Sequence, residues 1–244
     1  MGAFCLVQSF MRNLDFESVE NKIILKIRSF VGTKNVFIGI SGGIDSAVTA
    51  FLCVKALGKK RVFGVLMPYG RQSDIADSIS VVNQLNLKYF QKDIKPIVDQ
   101  FKIADNKFTV ANIMSRIRMT ILYAYANQKN GLVMGTTNKS EMTVGYFTKF
   151  GDGGVDFEPI AGLYKTEILK MAKLLNVPPN IIIKKPTAGL WNNQTDEDEF
   201  GFTYSDLDNF LQGKHLNPEI EVKIQDLIKN SEHKRHFSPS ISIE

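Results

Sequence analysis

Cysteine and long apolar runs are both scarce in this sequence. Two of the 244 residues are cysteines, Cys5 and Cys53, and their spacing matches neither a metal site nor a disulfide framework. No apolar run approaches the roughly 20 residues that cross a membrane. The apolar start, residues 1–11, lacks the basic segment and the small-residue cleavage site of a signal peptide. We therefore expect a cytoplasmic protein without a membrane partner, with Cys53 packed in its core.

Internal repeats, low-complexity linkers and composition shifts that would mark a domain boundary are also missing. Hydrophobic residues make up 44% and charged residues 23% of the chain, which is ordinary for a globular domain of this length. We therefore predict a single domain over residues 1–244. The net charge of +5 is compatible with nucleic-acid binding, so RNA stays open as a substrate. Because the lysines are dispersed, we instead expect an enzyme of polyanionic nucleotides that has no nucleic-acid partner.

Apolar runs alternate with helical patterns along most of the chain. An amphipathic helix is predicted first, and short strands are predicted over 36–40, 62–66, 88–91 and 132–135. The predicted helices cover 15–31, 47–57, 73–86 (with Ser73 as its cap), 109–129, 166–175, 206–211 and 219–228. This alternation is typical of an α/β fold, a doubly wound parallel sheet with helices on both faces. In such sheets ligands bind beyond the carboxyl ends of the strands.

One glycine-rich stretch, Gly-Ile-Ser-Gly-Gly-Ile-Asp-Ser at residues 39–46, joins a predicted strand to a helix. Gly42 and Gly43 let the backbone approach a phosphate, and the helix N-terminus faces that phosphate. No Lys-Ser/Thr pair follows the glycines, which excludes a Walker A loop. Asp45 lies inside the turn instead, and a carboxylate beside pyrophosphate is repulsive unless a cation separates them. The stretch therefore predicts a phosphate site with Mg²⁺, to which Ser41 and Ser46 offer hydroxyl groups.

The Ser-Gly-Gly-x-Asp-Ser core of this stretch resembles the pyrophosphate-binding loop of ATP pyrophosphatases. These enzymes adenylate a carbonyl oxygen and release pyrophosphate. The alternative is a strand-to-helix turn that needs its glycines only for geometry.

A second stretch is more specific than the phosphate loop, which several families share. Residues 135–141 read Gly-Thr-Thr-Asn-Lys-Ser-Glu, and residues 145–154 read Gly-Tyr-Phe-Thr-Lys-Phe-Gly-Asp-Gly-Gly. With the first loop and Lys-Pro-Thr-Ala at 185–188, this pattern resembles the ammonia-dependent NAD⁺ synthetases over residues 15–235. The resemblance implies an adenine-nucleotide alpha-hydrolase-like (Rossmann-like) fold. The chain departs from many members at 137–140, where they have Asp-His-Ala-Ala, and at Gly189, where they have Asp.

The resemblance implies a role for each matching position. The ATP-binding set comprises the loop and three later residues: Gly39, Ile40, Ser41, Gly42, Gly43, Ile44, Asp45, Ser46, Thr136, Lys165 and Thr187. The deamido-NAD⁺ set lies on several segments: Arg116, Lys149, Asp156, His233 and Lys234. Asp45 and Glu141 are the implied Mg²⁺ ligands, and with Lys165 they form the implied catalytic set.

Ordinary structural roles are the alternatives for several of these residues. Glu141 could be a carboxylate at a helix start, Lys149 and His233 could face solvent, and Arg116 could pair along its helix. We expect Arg118 to pair in that way. Residues 185–201 read as a mobile lid, and we expect the acidic run 196–199 within it to be solvated.

The implied activity is that of a ligase, the ATP-dependent amidation of deamido-NAD⁺ to NAD⁺ through an acyl-adenylate, with release of pyrophosphate and AMP. No side-chain nucleophile is needed, because positioning and electrostatic stabilisation suffice. Ammonia is the expected nitrogen donor, because the residues before the first strand are too few to encode the amidase of a glutamine-using synthetase. A tRNA-modifying or other adenylating ligase and a non-catalytic nucleotide-binding module stay open as alternatives.

We also predict a homodimer. The resemblance implies that the dinucleotide binds between two subunits. Two sets of apolar residues exceed what one core needs. The first set lies at the N-terminus and comprises Phe4, Leu6, Val7, Phe10 and Met11. The second lies on more than one side of the helix 109–129 and comprises Ile113, Ile117, Ile121, Tyr123 and Tyr125. A two-fold interface along that helix would bury the surplus and bring Arg116 near a shared groove.

Overall fold

The computed structural model describes residues 12–70, 75–102, 106–187, 195–236 and 241. Within these residues a four-stranded parallel sheet has the order β3-β2-β1-β4. Its strands are β1 (Asn35–Gly39), β2 (Val62–Leu66), β3 (Lys88–Gln91) and β4 (Gly131–Met134). Every strand lies at, or one residue away from, its predicted position. The apolar runs locate the strands well because strands buried on both faces carry near-continuous hydrophobic sequence.

The strand order creates a switch point between β1 and β4. The chain moves outward from β1 to β2 and β3 and then returns to pair β4 with the other edge of β1, with Ile38 opposite Met134. The loops that leave β1 and β4 therefore diverge from neighbouring strand ends. This is the position at which open α/β sheets bind ligands.

Helices cover both faces of the sheet, as predicted for a doubly wound fold. Their ranges are α1 (Phe16–Val31), α2 (Ile44–Leu57), α3 (Ile75–Gln84), α4 (Lys95–Val98), α5 (Lys107–Gln128), α6 (Lys139–Val144), α7 (Lys165–Leu174), α8 (Pro179–Ile182), α9 (Asp196–Phe200), α10 (Tyr204–Leu211) and α11 (Pro218–Asn230). None of the described helices combines the length and hydrophobicity of a transmembrane span. The predicted cap Ser73 and the departure at Gly189 lie outside the described residues.

The two faces of β1 belong to different cores. Val36 and Ile38 pack with α1, α2, α3 and α7, whereas Phe37 points to the other face and packs with α4 and α5. All three side chains are fully buried, because successive residues of a strand point to opposite sides. Cys53 is buried in the first of these cores, as predicted.

Burial raises the pKa of the Cys53 thiol to about 12. The thiol is therefore protonated and unreactive at neutral pH.

A third apolar cluster joins α6, α9, α10 and α11 beyond the end of the sheet. It contains Phe200 of α9, so the acidic segment before it is part of a packed helix. The expectation that the whole acidic run is solvated is wrong for Asp196. That carboxylate is buried and accepts hydrogen bonds from Tyr204 Oη at 2.9 Å and Tyr146 Oη at 3.2 Å. A buried carboxylate needs such donors. Tyr204 lies on the next helix, α10, and Tyr146 lies 50 residues earlier in the chain, so the sequence of the acidic run does not reveal them.

Residues 155–158, which follow the Gly-Tyr-Phe-Thr-Lys-Phe-Gly-Asp-Gly-Gly stretch at 145–154, return to the free edge of β4. Phe157 forms a parallel bridge with Met134, and its carbonyl accepts from Gly135 N at 2.8 Å. Asp156 is exposed beside this edge, where its carboxylate accepts from Val133 N at 2.8 Å. Burial, followed by the charge of Asp156, raises the pKa of Tyr123 to about 12. Asp156 therefore satisfies a strand-edge amide next to helix α5.

Glu158 lies under the backbone that follows β4. Its Oε2 accepts from Thr137 N at 3.0 Å, while its Oε1 is buried and has no hydrogen-bond partner in the described part of the chain. A Cβ at Gly135 would lie 2.2 Å from the Glu158 carboxyl carbon, so only glycine permits this approach. Burial raises the pKa of Glu158 from 4.5 to about 8. The carboxyl group is therefore protonated in the folded protein at neutral pH.

The raised pKa of Glu158 predicts a pH dependence of stability. Between about pH 4.5 and 8 the folded chain keeps a proton that the unfolded chain releases, so raising the pH favours unfolding. We expect Glu158→Gln to remove this contribution. The free energy of unfolding of the variant, relative to that of the wild type, should therefore be higher at high pH than at low pH. Denaturant titrations at pH 5 and pH 8.5 measure the difference. The exposed Glu219→Gln serves as a matched control, and parallel pH curves for wild type and Glu158→Gln would contradict the buried acid.

Candidate functional site

A cavity of about 690 Å³ opens at the carboxyl ends of β1 and β4. Its volume lies within the range of small-molecule sites. Most of the predicted ATP and metal residues line it: Gly39, Ile40, Ser41, Gly43, Ile44, Asp45, Ser46, Thr136, Glu141, Lys165 and Thr187. The predicted substrate residue Lys234 lines it as well. The fold thus brings together residues that are far apart along the chain.

The conformation of the phosphate loop depends on its glycines and on hydrogen bonds of its own serine hydroxyl groups. Gly42 has a φ of +78°, a conformation that L side chains rarely adopt. Ser41 Oγ accepts from Gly43 N at 3.2 Å, and Ser46 Oγ donates to Gly43 O at 3.0 Å. Helix α2 begins at Ile44, earlier than predicted, so Asp45 and Ser46 lie in its first turn. The loop therefore joins a left-handed turn to a helix N-terminus, a geometry suited to an anion.

Lys165 joins the two predicted metal carboxylates. Its Nζ lies 2.6 Å from Asp45 Oδ2 and 3.0 Å from Glu141 Oε1. The lysine side chain is 6% exposed and the carboxylates are 16% and 13% exposed, so these ion pairs are shielded from solvent. The two carboxylates consequently lie within a few ångströms of one another at the floor of the cavity.

Opposing effects set the charges of this cluster. Burial raises the pKa of Glu141 to about 7, and the ammonium of Lys165 partly offsets this rise. Burial by itself would lower the pKa of Lys165, but attraction to Asp45 and Glu141 is stronger and the pKa is raised. Lys165 is therefore charged at neutral pH, and it compensates carboxylates that would otherwise repel each other.

The position of Lys165 depends on residues of α6 and α10. Lys165 N donates to Ser140 Oγ at 2.9 Å, and Thr166 N donates to Asp208 Oδ2 at 2.9 Å. Ser140 Oγ also donates to Asp208 Oδ1. These bonds satisfy amides at the start of α7, where no intrahelical acceptor is available. They also place the first residue of that helix against the cavity.

The specific Gly-Tyr-Phe-Thr-Lys-Phe-Gly-Asp-Gly-Gly stretch folds over the N-terminal half of α5. Asp152 Oδ1 accepts from Thr148 N at 2.9 Å and from Ser115 Oγ at 2.6 Å. A Cβ at Gly151 would lie 2.4 Å from Ser115 Oγ, so the backbone passes very close to the helix. Asp152 and Ser115 line the cavity, although no role was predicted for either. The Gly-Asp-Gly pattern at 151–153 was the sequence signal that could have identified Asp152 as a site residue.

The remaining basic residues form a cluster beside the cavity. Lys149 Nζ donates to the carbonyl of His233 at 2.5 Å, and Arg116 approaches the carbonyl of Lys149 at 3.4 Å. Lys234 Nζ donates to the carbonyls of Gly145 and Phe147, both at 2.8 Å. Burial lowers the pKa of Lys234. Lys149 therefore does not project freely into solvent, and the exposed His233 contributes its backbone to this cluster.

Arg116 also lines a separate depression of about 580 Å³ on the outer side of α5. Asn112 lines both this depression and the main cavity, so the two adjoin across the helix. Asp156, by contrast, lines neither of them in the described structure. The predicted dinucleotide residues therefore lie in three places. Lys234 is the inner residue, Lys149, Arg116 and His233 form the outer group, and Asp156 lies at the strand edge.

Arg118 is a cavity residue that the sequence analysis placed wrongly. Its Nε donates to the carbonyl of Met67 at 3.1 Å, rather than pairing along α5. Burial lowers its pKa to about 10, so it stays cationic at neutral pH. Only the packing of α5 on the sheet directs this side chain inward, and helical periodicity by itself gives no signal of that direction.

Comparison with known proteins places this geometry in a family. A family model described as NAD synthase matches residues 17–238. An NH(3)-dependent NAD(+) synthetase from Pyrococcus horikoshii is 44% identical over 252 residues, covering 96% of this chain and 98% of that protein. One from Archaeoglobus fulgidus is 45% identical over 239 residues, covering 93% and 97%.

Solved structures agree with this assignment. The structure of NMN synthetase from Francisella tularensis has a TM-score of 0.90 and 34% identity, covering 95% of this chain and 100% of that one. NH3-dependent NAD synthetase from Campylobacter jejuni has a TM-score of 0.78 and 33% identity, covering 94% and 100%. A glutamine-dependent NAD+ synthetase from Acinetobacter baumannii is 26% identical, and this chain covers 49% of it. With its phosphate loop, paired carboxylates and central lysine in one cavity, the chain belongs to the NAD synthase family.

Proposed function

We propose that this protein converts deamido-NAD⁺ to NAD⁺ with ATP and free ammonia. The observation that carries the proposal is the buried Lys165 between Asp45 and Glu141, at the open end of a phosphate loop. The loop amides, the ammonium of Lys165 and a cation held by the two carboxylates would together stabilise negative charge that develops on a pyrophosphate leaving group. The similarity to NH(3)-dependent NAD(+) synthetases over almost their full length supports the same conclusion. Cytoplasmic location and a single domain over residues 1–244 remain predictions.

The chemistry follows from the poor reactivity of a carboxylate toward an amine. The nicotinate carboxylate oxygen forms a bond to the α-phosphorus of ATP as the bond to pyrophosphate breaks. Ammonia then forms a bond to the acyl carbon of this adenylate, AMP leaves, and a proton is released. The backbone amides of the phosphate loop and the ammonium of Lys165 would stabilise the departing charge, so no side-chain nucleophile is required.

The donor set fits Mg²⁺ that arrives with ATP. Asp45 and Glu141 converge on one cation, Lys165 Nζ, and their carboxylate oxygens are the hard ligands that Mg²⁺ prefers. No group of three or more His, Cys, Asp or Glu side chains suited to a metal occurs among the described residues. Mg²⁺ commonly takes one or two carboxylates together with substrate phosphates. When bound, it would supply positive charge between the carboxylates and the pyrophosphate.

The dinucleotide is long enough to use both the cavity and its basic margin. We assign the inner residue Lys234 and the outer group Lys149, Arg116 and His233 to deamido-NAD⁺, as the sequence resemblance implies. The depression beside Arg116 adjoins the main cavity across α5, which supports this extended binding mode. Asp156 remains a predicted substrate residue that would act from the strand edge.

A mononucleotide substrate is the second candidate. The specific observation in its favour is the TM-score of 0.90 with NMN synthetase from Francisella tularensis. The same carboxylate-to-amide chemistry on nicotinate mononucleotide would use the phosphate loop and Lys165 unchanged. Only the outer basic group would lose its ligand, because the adenylate half of the dinucleotide would be absent.

Pyrophosphate release from ATP tests the substrate assignment directly. We expect release to require deamido-NAD⁺. Release beyond one equivalent per enzyme should also require ammonium, because ammonia consumes the adenylate; it should rise as higher pH converts ammonium to ammonia, and it should fail with glutamine in place of ammonium. Preference for nicotinate mononucleotide would support the second candidate. Dependence on tRNA would indicate a modifying enzyme, and the absence of any release would indicate a non-catalytic nucleotide-binding module.

Removing either metal carboxylate should abolish most adenylation while preserving the fold. We expect Asp45→Asn and Glu141→Gln each to lower kcat by roughly 10²–10³-fold, a typical effect of losing one preorganised electrostatic group. Asp99→Asn is a suitable control, because that exposed residue pairs with Lys95 away from the cavity. Steady-state kinetics and circular dichroism provide the readouts. Near-normal turnover of Asp45→Asn at ordinary Mg²⁺ concentrations would remove the metal role.

We infer further that the protein is a homodimer that binds its dinucleotide at the interface. The helix residues used to predict the dimer mostly pack within one chain, since Ile117 is buried and Ile113, Ile121, Tyr123 and Tyr125 contact the same core. Other aromatic side chains near this helix are exposed, with Phe101 at 45% and Phe108 at 55%. Phe101 lies beside Arg116 in the outer depression, which supports a two-fold contact there. The apolar N-terminal set lies outside the described residues.

Sedimentation velocity at micromolar concentration tests the dimer. We expect a dimer that Phe101→Ser weakens, with a parallel loss of deamido-NAD⁺ affinity, because the substitution removes apolar contact area from the interface. Val222→Ser is the matched control, since Val222 is 56% exposed on α11. A monomeric wild-type protein that binds deamido-NAD⁺ tightly would overturn the interface site.

A further inference from the structure

Asn138 is completely buried between the two carboxylates of the site. Its Nδ2 donates to Asp45 Oδ1 at 2.9 Å, and its Oδ1 accepts from Glu141 N at 3.0 Å. Its own backbone N donates to Glu141 Oε2 at 3.3 Å. One residue therefore contacts both carboxylates and also caps helix α6.

These contacts close a ring with Lys165. Lys165 Nζ bonds the other oxygen of each carboxylate, Asp45 Oδ2 and Glu141 Oε1. All four carboxylate oxygens thus have a donor, two from the lysine and two from Asn138. Each carboxylate is consequently restrained in rotation as well as in position, because both of its oxygens are engaged.

The chemistry of the ring requires an amide at this position. The side chain must accept from the helix amide of Glu141 with one atom and donate to Asp45 with another. Aspartate could make the first contact but would place a second negative charge against Asp45. Serine could make the first contact and lacks the second group. Of the polar residues that favour helix N-caps, asparagine alone has its acceptor and its donor on two different side-chain atoms, whereas Ser and Thr have both on one hydroxyl oxygen.

We propose that Asn138 is a positioning residue that orients Asp45 and Glu141 for the metal-bound pyrophosphate end of ATP before ATP binds. The inference rests on the proposed function. Substituting a residue that hydrogen-bonds to a metal-ligating carboxylate typically changes metal affinity or activity by roughly 10–100-fold. Asn138 is fully buried and is not among the residues that line the cavity, so its effect is exerted through the two carboxylates.

Two cap-preserving substitutions separate positioning from helix stability. Asn138→Asp keeps the acceptor for Glu141 N and turns the contact with Asp45 repulsive. Asn138→Ser keeps an acceptor for Glu141 N and removes the amide nitrogen that donates to Asp45. Asn217→Asp is the matched control, because Asn217 caps α11 by accepting from Glu219 N and has no contact with the site. Thermal unfolding of each apo variant measures its effect on stability separately from its effect on Mg–ATP binding.

Calorimetric titration with Mg–ATP, without the nicotinate substrate, provides a readout independent of turnover. We expect the dissociation constant for Mg–ATP to rise by roughly 10–100-fold in Asn138→Asp and by less in Asn138→Ser, with no change in Asn217→Asp. Asn138→Ser should unfold at a lower temperature than the control, because it removes a buried hydrogen bond. It should still be folded at the temperature of the titration, which keeps the test valid if the Asp variant folds poorly.

Two results would overturn the proposal. One is unchanged Mg–ATP affinity in Asn138→Ser and Asn138→Asp. The other is a loss of affinity that follows the unfolding temperature equally in all variants, which would assign Asn138 a purely structural role. Failure of the proposed function looks different: the wild-type protein would release no pyrophosphate with deamido-NAD⁺, while the order of Mg–ATP affinities among the variants would still report on Asn138.

Discussion

The site depends on burying one ammonium between two carboxylates. Placing charges in a protein interior costs several kcal/mol per ion unless geometry and further hydrogen bonds compensate for the lost solvation. Lys165, Asp45 and Glu141 meet this requirement because each carboxylate oxygen receives a hydrogen bond. In the proposed function, the two carboxylates would also meet a divalent cation that arrives with the nucleotide.

Three helix N-termini create this arrangement. Asp45 lies in the first turn of α2, Glu141 in the first turn of α6, and Lys165 is the first residue of α7. The positive ends of these helices favour the two carboxylates, and they would favour the phosphates that we propose the loop binds. The same field disfavours a lysine at a helix start, and the adjacent carboxylates offset that cost. The unusual placement of Lys165 is therefore stable only as part of the cluster.

The sheet topology explains why these termini meet. β1 and β4 are neighbours although a long stretch of chain separates them, so α2 and α6 begin side by side. Helix α7 is then held at its start by Ser140 and Asp208, which belong to α6 and α10. Chemistry common to mononucleotide and dinucleotide enzymes would use this inner region. In the proposed function, the outer margin around Arg116 would distinguish substrates of different length.

The strand positions and the phosphate loop of this protein could be predicted from its sequence alone. Strand positions follow from short apolar runs, and the phosphate loop follows from glycines next to Asp45, because both signals are local. The pairing of Asp45 with Lys165 joins residues 120 positions apart, and its contact with Asn138 spans 93 positions. The inward direction of Arg118 and the burial of Asp196 likewise depend on how helices pack, and neither hydrophobic periodicity nor charge patterning reports that packing. Only the tertiary structure decides which oxygen faces which donor, since the strand order that brings these residues together is a long-range property of the whole chain.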